Sequence, residues 1–131
     1  MSSSPKPRRS TRVKNIVPDA PDFRDRLYLA PVHSRPPAQL APRKTLPVLN
    51  QADTNACTGF ALASVVHWLL KEQDATPERV SPFMLYSMAR RYDEFRGAEA
   101  DTGSSLRGAL KGWHKHGACH AKLWPALKMP K

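Results

Sequence analysis

Gln51–Leu70 reads QADTNACTGFALASVVHWLL, and how this stretch is read decides the rest of the chain. Phe60, Ala61, Leu62, Ala63, Val65, Val66, Trp68, Leu69 and Leu70 occupy most of a helical circumference. A helix apolar on nearly all sides is a buried one. The spacing predicts a helix over Cys57–Glu72, with Thr54 and Asn55 placed to cap its start. Cys57 then falls in the first turn, where unpaired N–H groups and the positive end of the helix dipole favour a thiolate. The same N–H groups can donate to an oxyanion. Gln51 carries an amide that can supply a second donor if the intervening loop folds back. A Cys in this place is also, more simply, a small apolar residue at a helix start.

Two further helices are expected downstream. Ser81-Pro82 is an N-cap followed by Pro at the first helical position, opening a helix that runs toward Arg91 and carries Phe83, Met84, Tyr86, Met88 and Ala89. After Gly103-Ser104-Ser105, a third helix runs from Leu106 to about His116, closed by Gly117. In it Leu106, Ala109, Leu110 and Trp113 form an amphipathic stripe. Three helices and few strands make an α-rich body.

Upstream the composition changes. Nine of the 13 prolines lie in residues 1–47, and residues 1–44 hold ten Lys/Arg against three Asp, most of the formal net charge of +10. Residues 1–44 therefore read as a basic, Pro/Ser/Arg-rich arm, disordered over 1–20, and residues 45–131 as the globular part. Two short extended pieces are expected near Asp22–Leu29 and Thr45–Leu49, separated by SRPPAQLAPR. No segment reaches the roughly 18 apolar residues of a membrane span. MSSSPKPRRSTRVKN has no apolar core behind its charged start, so no secretory signal is expected. Two cysteines 62 positions apart then read as free thiols, and the cytoplasm as the compartment.

Leu46-Pro47-Val48, Asn50-Gln51 and Ala56-Cys57-Thr58-Gly59-Phe60-Ala61 together resemble the start of the papain-like cysteine peptidases, the bacterial branch in particular. Ser81-Pro82-Phe83-Met84-Leu85-Tyr86 with Ala89-Arg90 is similar to the family's second helix. Asp101-Thr102-Gly103-Ser104-Ser105-Leu106-Arg107 with Ala109-Leu110 looks like its glycine-containing turn and third helix. His116-Gly117-Ala118-Cys119 with Leu123-Trp124-Pro125 looks like the segment that follows. The resemblance covers about residues 45–126. It implies an α+β family fold of which this chain holds the α-rich, left-hand subdomain, three helices around a buried central one. It implies proteolysis through a Cys57 thioester, with the Cys57 N–H and the Gln51 amide as oxyanion hole. Gly103 and Ser104 would line the cleft for a peptide or protein substrate; Gly103 equally reads as a turn leading into the helix. No cofactor and no metal are implied.

The resemblance breaks at the base. Papain-like enzymes take a His and an Asn from a β-rich second domain, roughly 130–150 residues beyond the Cys, and only 74 residues follow Cys57. The chain as given is therefore expected to be inactive alone, with a second chain or a further C-terminal domain supplying the His and Asn. His67 lies ten residues past Cys57, about 15 Å along a helix and out of hydrogen-bond reach. His114, His116, Cys119 and His120 are four N/S ligands in one short segment, too cramped for tetrahedral zinc, so no metal site is expected. The family's Gly after the Gln is Ala52 here, and Asn55-Ala56 stand where a Gly or Ser usually precedes the Cys. A loop built for positive φ tolerates Ala poorly. The oxyanion hole is accordingly expected to be shifted or degraded. A catalytically inactive module binding a peptide or protein partner is the alternative. Polyanion binding by the arm is a weaker one, since only Phe23 and Tyr28 interleave its charges and no nucleic-acid partner is expected. The helix at Cys57, greasier than two neighbours can cover, should leave an apolar patch exposed.

Overall fold

The computed structural model describes residues 18, 21–27, 29, 31, 37–39, 46–73, 77–94 and 100–127. Three helices follow in order: α1 (Cys57–Gln73), α2 (Pro82–Arg91) and α3 (Leu106–His116). These are the three expected from the sequence, and no strand occurs among the described residues, only an isolated antiparallel bridge between Val80 and His120. The expected disorder of residues 1–20 lies almost wholly outside the described residues.

The ends of α2 and α3 follow from local chemistry. Ser81 accepts the Met84 N–H at 3.0 Å and Pro82 needs no partner for its nitrogen. Ser105 accepts the Gly108 N–H at 2.9 Å. Gly117, at φ 67°, closes α3 by donating to the Trp113 carbonyl at 2.7 Å. The start of α1 differs from expectation. Thr54 turns its hydroxyl back to the Gln51 carbonyl at 2.7 Å, and Asn55 bonds across to Asp101, so neither caps the helix.

The core joins Leu62, Ala63 and Val66 of α1 to Met84, Leu85 and Ala89 of α2, with Val80 and Ala109 at its edges. Glycines set how close the helices come. A Cβ on Gly59 would stand 2.4 Å from the Pro82 carbonyl oxygen and 2.6 Å from Tyr86 Cβ. On Gly112 it would stand 2.8 Å from the Met88 carbonyl carbon. This changes the expected stripe on α3, of which Ala109 is buried and Trp113 packs against the core. Leu106 and Leu110 are more than half exposed, while Gly108, Ala109 and Gly112 face inward. The bare side of α3 meets α2 because backbone-to-backbone approach excludes more water there than leucines held apart by their own bulk.

The segment after α3 returns across the start of α2. Ser81 donates its N–H to the Cys119 carbonyl and Ala121 donates to Arg79, both at 2.8 Å. Ser81 Oγ also donates to the Trp124 carbonyl at 2.5 Å. The extended piece expected at Asp22–Leu29 opens instead with a turn over residues 22–25, closed by Asp25 N–H to the Asp22 carbonyl at 2.8 Å. Asp25 accepts both Nη groups of Arg107, each at 2.8 Å, and this pairing holds its carboxyl below the usual range. The described part of the other piece, residues 46–49, pairs with no strand.

α1 is buried along Leu62, Ala63 and Val66, yet Val65 and Leu69 are about half exposed, 52% and 47%. Two helices cannot cover a helix that is apolar all round. Beside its C-terminal half lies a groove of about 600 Å³ lined by Val66, Leu69, Leu70, Val80, Trp113 and Cys119. No described helix is long and apolar enough to cross a membrane.

Candidate active site

Cys57 is the first residue of α1, and it is exposed and unpaired. Ala56 before it is fully buried and its carbonyl starts the helix by accepting the Phe60 N–H at 3.1 Å. The backbone N–H groups of the first turn have no intrahelical acceptor, as at any helix start. Asn55 and Thr58, on either side of Cys57, are both tied to the loop before α3. On one side Asn55 donates its N–H to Asp101 Oδ2 at 2.8 Å and its Nδ2 to the Asp101 carbonyl at 2.5 Å. On the other, Thr58 Oγ1 and Ser104 Oγ share a hydrogen bond of 2.5 Å. These bonds tie the start of α1, where Cys57 lies, to the loop that carries Gly103 and Ser104.

A buried polar network stands behind that edge. Tyr86, with no exposed surface, donates its hydroxyl to Asp101 Oδ1 at 2.6 Å and accepts the Gly103 N–H at 3.0 Å. Burial pushes the Tyr86 hydroxyl well above its ordinary value, and the hydrogen bond to Asp101 adds to the effect. One turn along α2, Arg90 donates to the Gly103 carbonyl and pairs with Asp93 at 3.3 Å. Asp93 in turn accepts the Ser105 N–H at 3.1 Å. Gly103 has φ 91°, which only glycine adopts freely, and a Cβ there would meet nothing within 4 Å. Its glycine answers to backbone conformation, with open space above it. Sequence reading passed over Tyr86, Arg90, Asp93 and Asp101 as functional residues. The available signal was Tyr86 and Arg90 at i and i+4, two polar residues on one face of a helix otherwise bound for the core.

Gln51 is half-buried, and its Nε2 donates to the Thr54 carbonyl at 2.9 Å. One amide proton thus serves its own loop, while the second is not so engaged. Ala52 takes φ 51°, with its N–H donated to Asn50 Oδ1 at 2.9 Å. The loop keeps a left-handed residue after the Gln even though an alanine must carry it.

Three of the four described histidines, His67, His116 and His120, have partners away from Cys57. His67 is buried and its Nε2 accepts the Val80 N–H at 2.8 Å. Burial lowers its pKa and the nearby Arg79 charge lowers it further. His116 Nε2 shares a 2.7 Å hydrogen bond with the Tyr92 hydroxyl, and His120 Nδ1 lies 2.8 Å from Glu78. Among the described residues no three His, Cys, Asp or Glu side chains converge as metal ligands. Compared with protein-family models, with curated proteins and with solved structures, the chain matches none.

Proposed function

We propose that this chain is the nucleophile-bearing helical part of a papain-like cysteine peptidase, acting on a peptide or protein substrate in the cytoplasm. The observation that carries the reading is the pair of bonds on either side of Cys57, Asn55 to Asp101 and Thr58 to Ser104, that tie the start of α1 to the loop before α3. A thiol at a helix start then faces a glycine edge along which an extended peptide can lie. In this reading Cys57 Sγ bonds to the scissile carbonyl carbon, and the oxyanion takes the free N–H groups of the first turn and the second Gln51 proton. The C–N bond breaks, the amine leaves with a proton from an imidazole, and water hydrolyses the thioester. That imidazole, with the Asn that orients it, comes from further sequence or a second chain.

Competitive alkylation tests the proposal. At pH 7 iodoacetamide should modify Cys57 at least about tenfold faster than Cys119, as resolved by peptide mass mapping. Equal, slow rates at both thiols would overturn it.

A catalytically inactive peptide-binding module is the second reading, and one observation favours it. Gln51 spends one amide proton on Thr54, and the buried His67 is engaged by the Val80 N–H. A module of this kind retains peptide affinity in Cys57→Ser with no covalent adduct in the unaltered chain.

A further inference from the structure

Asp101 accepts at both carboxylate oxygens and at its carbonyl, two of the bonds coming from Asn55 before α1 and one from Tyr86 of α2. Oδ2 takes the Asn55 N–H two residues before Cys57. Oδ1 takes the buried Tyr86 hydroxyl of α2, which itself receives the Gly103 N–H. The carbonyl takes Asn55 Nδ2. Alongside the Thr58–Ser104 hydrogen bond, Asp101 therefore ties the start of α1 to the Gly103–Ser104 loop, and its side chain is braced from behind by a residue with no exposed surface.

We infer that Asp101 is a positioning residue that holds Cys57 in register with the Gly103–Ser104 edge; this rests on reading that edge as a peptide cleft. The carboxylate suits the task because both groups pointed at it are donors. In Asp101→Asn the new NH₂ group must either face the Asn55 N–H, donor against donor, or face Tyr86, whose oxygen would then accept from both Gly103 and residue 101. The carbonyl bond to Asn55 survives the change, so the loop loses its register before it loses its fold.

Two alkylating probes separate register from reactivity. An N-acyl dipeptidyl chloromethyl ketone must lay its amide backbone along the cleft; iodoacetamide has no backbone to place. In each, Cys57 Sγ forms a bond to the reagent's methylene carbon and chloride or iodide leaves. The measured quantity is the ratio of the two rates at Cys57, divided by the same ratio at Cys119, in the full 131-residue chain. The unaltered chain should favour the peptidyl reagent at Cys57. Asp101→Asn should lose about tenfold of that preference, with the iodoacetamide rate at Cys57 within about twofold and the helical circular dichroism unchanged. Tyr86→Phe, which removes the brace, should lose preference in the same direction and serves if the first variant fails to fold. A variant that folds and keeps the full preference would overturn the inference while leaving the cleft reading standing. An unaltered chain with no preference at Cys57 would overturn both.

Discussion

His67 Nε2 accepts the backbone N–H of Val80 at 2.8 Å. The bond spans from α1 to the residue that pairs with His120, so it pins the chain between α1 and α2 against the core. Protonation turns that acceptor into a second donor aimed at the first.

The bond makes stability depend on pH in a known sense. Burial holds the folded His67 below its ordinary value of 6.5, with Arg79 adding to the effect, so the unfolded chain binds the proton more readily. The contribution is intact above pH 6.5 and is lost as pH falls from there toward the lower folded value. Urea unfolding between pH 8 and 5 should show this decline, and His67→Gln, which still offers an acceptor, should flatten it. Equal slopes in the two proteins would remove His67 as the cause.

Ala52 stands at φ 51°. A side chain in the left-handed region costs roughly 1–2 kcal/mol, and replacing it by glycine returns part of that gain to unfolded-chain entropy. Ala52→Gly should therefore raise stability by about 0.5–1 kcal/mol, while Ala52→Val should lower it. A glycine variant with a lower melting point would show that the loop does not hold this conformation in solution.

Gly59→Ala sets helix propensity against packing. Alanine is favoured over glycine inside a helix by about 1 kcal/mol. Here its Cβ would meet the Pro82 carbonyl at 2.4 Å and the Tyr86 backbone nitrogen at 2.7 Å, both on rigid backbone. Overpacking of this kind costs typically 1–3 kcal/mol or more, so the net effect should be destabilising. A neutral or stabilising result in denaturant titration would mean that α1 and α2 do not approach as described.

The two sides of the core helices should answer differently to substitution. Leu85 is fully buried and Leu69 is about half exposed. Leu85→Ala should cost about 2–5 kcal/mol, and Leu69→Lys within about 0.5 kcal/mol. Light scattering is the accompanying measurement: the apolar face at Val65 and Leu69 should promote self-association that Leu69→Lys reduces. A monomeric unaltered chain would show that the exposed face is not sticky enough to matter.

The amino-acid order alone determined the three helices and most of their ends. Ser81-Pro82, Ser105 and Gly117 act through bonds to neighbours three or four residues away, and such local chemistry is visible in a string of letters. It also marked Cys57 as a helix start. The inward side of α3 was decided only in the tertiary structure, because two glycines next to α2 let backbones approach where a hydropathy pattern favours leucines. The same holds for the caps expected of Thr54 and Asn55. Asn55 found a partner 46 residues away, and no local rule contains Asp101. Tyr86, Arg90 and Asp93 likewise became one network only when α2 was laid against the Gly103 loop, since a buried polar group must take its partner from whatever element the fold brings within 3 Å or so.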